Sequence, residues 1–290
     1  MRARVVALLG VLLLLAACAP SGSAATVPFT PGASVHTIEV HGTDRTYRLY
    51  IPPGVPPAAP LVVMLHGGFG SAAQAERAYG WNELADSAKF VVAYPDGLGR
   101  AWNAGAARPA TSGSGGGCCG RSSRDGVDDV GFITAAVRDI ADNVGIDPAR
   151  IYAAGISNGG MMSYELACNS AVFAAIGPDS ATQLDSCPAP NPTSVLHIHG
   201  TADRMIRYDG QPGVGFANID GPAVPEVNAF WRNVDHCAPP STRVDGGLTT
   251  SVADCPRGRS VELITVAGGG HEWPSFVTQA LWDFFAAHPR

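Results

Sequence analysis

The sequence predicts an α/β fold with a mostly parallel central sheet and helices on both faces, and three observations carry that expectation. Short, wholly apolar runs such as Leu61–Leu65 and Phe90–Tyr94 recur along the chain, as in strands covered on both faces. Segments with apolar residues at helical spacing separate them, for instance Phe132, Ile133, Ala136, Val137 and Ile140. Clusters of Gly, Pro, Asn and Asp punctuate the alternation, which is the signature of strands linked by crossover helices. The chain of 290 residues could hold one large domain or two small ones. No repeat or change of composition divides it after residue 34, so one folded domain, 35–290, is expected.

In order, His36–Val40 and Thr46–Ile51 read as two strands around a Gly-Thr-Asp turn. Leu61–Leu65 is the third strand, 72–88 a helix, and Phe90–Tyr94 a strand ending at Pro95-Asp96-Gly97. A long Gly/Ser/Pro-rich stretch, 98–126, follows; loops of that length inside a compact domain are more often functional than idle. The next elements are a helix over 127–144, a strand over 151–155, a helix over 159–169 and a weak strand over 174–176. Val195–His199 is a strand, Val224–Val234 a helix, Val261–Val266 a strand, and 275–287 the final helix.

Composition narrows the function. With 46% hydrophobic and 15% charged residues the chain is no disordered polyelectrolyte, and 35 Gly with 23 Pro exclude a coiled coil. A net charge of −6 lacks the basic face that displaces counterions from nucleic acid, so no nucleic-acid partner is expected.

Arg2 and Arg4 precede an apolar run from Val5 to Leu15. That run is too short for a bilayer, whose core of about 30 Å needs about 20 apolar residues, so residues 1–17 read as a signal peptide. The run ends in Leu15-Ala16-Ala17-Cys18, which resembles the bacterial lipobox, where the thiol carries diacylglycerol. Cys18 is therefore the expected lipidation site. Residues 18–34, rich in Ser, Ala, Pro and Gly, form the expected flexible tether. This places the domain outside the cytoplasm, anchored to the cell membrane; an ordinary secretory signal, releasing it to the medium, is the alternative.

Export also governs the remaining cysteines. Cys118, Cys119, Cys168, Cys187, Cys237 and Cys255 are even in number, which suggests disulfides in an oxidising compartment. Cys237–Cys255 and Cys168–Cys187 close short loops and are favoured; Cys118 and Cys119 would form a vicinal bridge or pair elsewhere. No Cys-x-x-Cys spacing points to zinc, so neither metal nor cofactor is expected.

Gly155-Ile156-Ser157-Asn158-Gly159 matches G-x-S-x-G, between a strand and a helix. In that setting a sharp turn pushes the Ser hydroxyl out at the strand's end, and the glycines admit close neighbours. A hydroxyl nucleophile needs a base, and the base an orienting acid. Asp203 follows the strand Val195–His199, and His271 follows Val261–Val266 on a Gly-rich loop. Ser157, Asp203 and His271 are thus the expected catalytic residues, with Asp209 and Asp179 as rival acids. Oxyanion donors are expected at the Asn158 N–H and, from His66-Gly67-Gly68-Phe69-Gly70, at Gly68.

HGGFGSA, YPDGLGRAWNAG with CCG, VDDVGFI, IDPARIYAAGISNGGMM, HGTADRMIRYDG and GGGHEWP occur in this order. Together they resemble the secreted poly(3-hydroxybutyrate) depolymerase-like esterases, similar to feruloyl and acetylxylan esterases, from about Val35 to the C-terminus. The resemblance implies the α/β-hydrolase fold and a serine esterase with Ser157 as nucleophile, Asp203 as acid and His271 as base. Its partner is then an ester: a small molecule, an oligomer or a polysaccharide-linked acyl group. A binding lipoprotein without turnover and a serine peptidase are the rival functions. Trp102 and Trp273 are candidate substrate-binding residues, since flat aromatic faces stack on sugar or phenolic rings; packing within the protein is their other reading. Asp128 and Asp129 read as helix-capping and loop-holding residues.

Overall fold

The computed structural model describes residues 29–105, 119–215 and 219–290. The expected signal peptide, Cys18, most of the expected tether, and Cys118 lie outside these residues.

The chain opens with β1 (Gly32–Val40) and β2 (Thr43–Ile51), an antiparallel hairpin. Its turn residues His41 and Gly42 both have positive φ, the backbone that matches strand twist in a two-residue hairpin. Gly32, Ala33 and Ser34 pair with Ile51, Tyr50 and Leu49, so the expected tether must end earlier than residue 34. Phe29 also stacks on His36, with ring centroids 4.2 Å apart.

Next come β3 (Ala59–Leu65), α1 (Ala72–Ala78), α2 (Trp81–Ala88) and β4 (Val91–Pro95). The single helix expected over 72–88 is two, broken at Gly80, whose φ of 69° is left-handed and stops helical continuation. In the long loop, α3 (Arg121–Arg124) precedes α4 (Asp129–Val144). Asp128 caps α4 by accepting the Gly131 N–H at 2.7 Å. The elements β5 (Ile146–Ile156), α5 (Asn158–Asn169), β6 (Ala175–Asp179), β7 (Ser194–Gly200) and α6 (Val224–Val234) follow. Then β8 (Ser241–Asp245), β9 (Leu248–Cys255) and β10 (Arg259–Val266) lead to α7 (Val277–Ala287).

The ten strands of the described residues join one sheet, in the order β1-β2-β4-β3-β5-β6-β7-β10-β9-β8. The run from β4 through β10 is parallel, with antiparallel additions at both edges. The β8–β9 hairpin was not expected from sequence. Every residue of β8 is exposed, so it has no apolar alternation to read.

Side chains alternate across the sheet. Leu61, Val63 and Leu65 of β3 join a core with Phe132, Ile140, Tyr164 and Trp231, while Val62 and Met64 face Trp81, Phe90, Tyr152 and Phe285. Each such fully buried side chain contributes roughly 1.5–3 kcal/mol of hydrophobic stabilisation. Because β3, β5, β6, β7 and β10 run parallel, the loops at their C-terminal ends emerge on one edge of the sheet, where open α/β sheets place their sites.

Candidate active site

β5 passes directly into α5 through Ser157, whose φ of 56° and ψ of −123° lie outside the helical and strand regions. A non-Gly residue held there stores on the order of 1–3 kcal/mol of strain. The neighbours make it possible. A Cβ on Gly155 would stand 2.4 Å from the Gly159 backbone, and one on Gly159 would stand 2.3 Å from the Leu65 carbonyl. The Ser157 N–H donates to the Asp179 carbonyl at 2.9 Å, tying the turn to β6.

Asp203 sits just beyond β7. Its Oδ1 accepts the N–H groups of Met205 (2.8 Å) and Ile206 (3.0 Å), and its Oδ2 lies 2.8 Å from His271 Nδ1. Burial pushes the Asp203 carboxyl upward, but the His271 hydrogen bond and charge, then the Ile206 N–H and His199, outweigh it and hold the carboxyl below its usual range. The two loops are stitched together: Ala202 N–H donates to the Gly269 carbonyl and Gly268 N–H to Thr201 Oγ1, each at 2.9 Å. A Cβ on Gly200 would stand 2.2 Å from the Gly269 carbonyl, so the end of β7 can approach the loop before His271 only as glycine.

The rival acids stand elsewhere. Asp209 is exposed and paired with Arg207. Asp179 is buried, with an unpartnered Oδ2, and burial pushes its carboxyl well above the ordinary range.

Gly68 lies against the start of α5, where a Cβ would stand 3.2 Å from Cys119 Cβ and 3.7 Å from Asn158 Cβ. Trp102 clamps these pieces. Its indole N–H donates to the His66 carbonyl at 2.8 Å, its backbone N–H to Asn158 Oδ1 at 2.7 Å, and its carbonyl accepts from Asn158 Nδ2. Fully buried, it presents no face to a ligand, which corrects the substrate-stacking expectation. His66, also buried, accepts the Gly97 N–H at Nε2 and faces its neighbour's carbonyl with Nδ1. Asp129 holds the other side of the loop, accepting from Arg45, the Asn103 N–H and Ser122.

Ser157 and His271 share a cavity of about 180 Å³ whose other walls include Phe69, Tyr79, Cys119, Ile156, Met205, Ile206 and Ile219. Trp273 does not line it. Its ring packs 5.0 Å from that of Tyr79 and its indole N–H donates to Thr278, so it backs a wall residue. Sequence reasoning missed Tyr79 and Phe69; the Tyr79-Gly80 helix break and the HGGFG glycines were the signals. Among the cysteines, Cys168 is bonded to Cys187 and Cys237 to Cys255, the two short-loop pairs expected. Cys119 is also disulfide-bonded.

Residues 45–201 match the family model described as Esterase PHB depolymerase. The protein named "Putative esterase NocK", of Nocardia uniformis subsp. tsuyamanensis, is 34% identical over 264 residues, covering 82% of this chain and 73% of its own. Feruloyl esterase B of Piromyces equi is 31% identical over 74% of this chain, which spans only 40% of that longer protein. Among solved structures, the acetyl xylan esterase from Aspergillus awamori superposes with a TM-score of 0.65 at 17% identity, covering 88% of this chain and 99% of that one. An S-formylglutathione hydrolase from Agrobacterium tumefaciens gives 0.56 at 14% identity, over 88% of this chain and 95% of that one. These likenesses carry the α/β-hydrolase fold.

Proposed function

The chain belongs to the PHB depolymerase esterase family and is a carboxylic ester hydrolase, and from that premise we propose that it works through an acyl-enzyme on Ser157. His271 Nε2 takes the Ser157 proton as Oγ attacks the ester carbonyl. Asp203 holds the imidazole in the Nδ1–H tautomer and balances the imidazolium that forms. The N–H groups of Gly68 and Asn158 receive the oxyanion, where a single donor can be worth about 10²–10³ in rate. His271 then returns the proton to the departing alcohol, and a water activated by the same imidazole releases the acid.

The observation that carries this reading is the 2.8 Å approach of His271 to Asp203, in a cavity shared with a Ser held at positive φ. Substrate scope follows from the walls. A mainly apolar cavity of about 180 Å³ suits a short-chain or single-ring aromatic acyl group, as on plant polysaccharide or hydroxyalkanoate oligomers. A panel of chromogenic short-acyl and feruloyl esters, set beside polymer film, tests the scope. A serine-reactive phosphonate should label Ser157, and full activity in Ser157→Ala would sink the mechanism.

The N-terminal assignment stands beside this as a proposal. Residues 1–17 are removed on export, Cys18 carries diacylglycerol, and the following residues tether the catalytic domain outside the cell membrane. The disulfides suit that oxidising compartment. Two acyl chains anchor firmly because each buried CH₂ contributes about 0.8 kcal/mol. Membrane fractionation decides it: Cys18→Ser should release an active soluble enzyme, and wild type found free in the medium would refute the anchor.

A further inference from the structure

Behind the acid lies a buried hydrogen-bond chain that the mechanism above does not use. Tyr164 of α5 faces His197 Nδ1 at 2.8 Å, and His197 Nε2 faces His199 Nδ1 at 3.1 Å. His199 Nε2 lies 2.8 Å from the Ile206 carbonyl and 3.4 Å from Asp203 Oδ2. All three side chains are fully buried, and the two histidines sit two apart in β7, on one face of the sheet.

The 2.8 Å approach of His199 Nε2 to the Ile206 carbonyl sets the direction of this chain. Burial pushes both imidazoles toward their neutral forms, and a neutral imidazole has one donor and one acceptor nitrogen. A carbonyl only accepts, so His199 Nε2 carries the proton and Nδ1 accepts. His197 must then donate from Nε2 and accept at Nδ1, which leaves Tyr164 as the donor. Donors therefore run one way, from Tyr164 to His197 to His199, and end on the Ile206 carbonyl, with Asp203 Oδ2 3.4 Å from the same His199 Nε2. Ile206 closes a ring, since its own N–H donates to Asp203 Oδ1 at 3.0 Å. Such chains polarise cooperatively in a low-dielectric interior.

We propose that His199 is a positioning residue for the acid–base pair, holding Ile206 against Asp203 Oδ1 and facing Oδ2 with its own Nε2–H, so that the carboxylate stays aimed at His271. The proposal rests on the reading of Asp203 and His271 as acid and base. The groups facing His199 are His197 on its own strand, Asp203, His271 and Tyr208 from the adjoining loops, and the carbonyls of Ile206 and Ala181. Removing its N–H leaves the Asp203 charge less satisfied and more attractive to the His271 imidazolium. The acid limb of kcat/KM then moves to higher pH.

Two measurements test this. In wild-type protein with ¹⁵N-labelled histidine, His197 and His199 should both be Nε2–H tautomers at neutral pH; an Nδ1–H tautomer at His199 overturns the proposal without any variant having to fold. In kinetics, His199→Phe should lower kcat on the order of tenfold with KM nearly constant and raise the acid limb. His199→Gln, whose amide can restore the donor, should recover both. In an Asp203→Asn background, His199→Phe should have no further effect on kcat. A folded His199→Phe with wild-type kcat and acid limb, beside a crippled Asp203→Asn, refutes the positioning role alone. A fully active Asp203→Asn would refute the acid assignment beneath it.

Discussion

His271 Nδ1 lies 2.8 Å from Asp203 Oδ2 across a sequence separation of 68. The two come together because β7 and β10 are parallel neighbours, with Val266 paired to Gly200, so their following loops leave the sheet side by side. Two backbone N–H groups occupy Asp203 Oδ1 and leave Oδ2 for the imidazole.

That division predicts sharply different outcomes for two nearby acids. Asp203→Asn should fold and lose about 10³–10⁴ in kcat, because an amide cannot favour the required tautomer or balance the imidazolium. Asp209→Asn removes only an exposed pair with Arg207 and should stay near wild type. Ester hydrolysis by the two purified variants checks this, and a crippled Asp209→Asn would mean that the acid has been misplaced.

Trp102 offers a test of clamp against stacking platform. Trp102→Phe removes the donor to His66 while keeping an aromatic ring. It should lower kcat by about tenfold or more for aliphatic and aromatic esters alike, since the loop bearing Gly68 loosens. Phe69, 49% exposed at the cavity wall, should behave differently, with Phe69→Ala altering KM mainly for aromatic acyl groups. A Trp102→Phe defect confined to the KM of aromatic esters would restore the stacking role.

Glu165 makes stability depend on pH. Burial in α5, then the charge of Asp185, pushes its carboxyl up to about 7 against the opposing Asn169 hydrogen bond. The folded state therefore binds this proton more tightly than the unfolded chain does. The associated stability is full below the unfolded value near 4.5 and is lost as pH rises through about 7, by up to about 3 kcal/mol. Glu165→Gln should match wild type near pH 4.5 and melt at a higher temperature at pH 8. Equal Tm differences at both pH values would contradict this.

Gly159 should be irreplaceable on structural grounds. In Gly159→Ala the new methyl would stand 2.3 Å from the Leu65 carbonyl, which is strand backbone and cannot yield as a side chain does. Overpacking of this kind costs about 1–3 kcal/mol or more, and relief would move Ser157 off its turn. Denaturant unfolding and ester turnover should both decline. A variant of wild-type stability and rate would show that α5 can shift without consequence.

The sequence alone determined what short-range physics encodes. Apolar runs and helical spacing marked strands and helices, because side-chain burial repeats every 2 or 3.6 residues. The glycines around Ser157 marked the elbow, because no other residue admits such close backbone. Even Asp203 and His271 were legible as residues just past late strands, since parallel strands bring their C-terminal loops to one edge. Tertiary structure decided whatever depends on a surface supplied from far along the chain. Whether Trp102 stacks on a ligand or clamps the protein turns on His66 and on Asn158, 56 positions away. Strand pairing with Leu49–Ile51 places Gly32–Ser34 in β1, and β10 made a strand partner of Leu248–Cys255. The donor direction from Tyr164 to His199 is set by the Ile206 carbonyl, and no local pattern records which imidazole faces it.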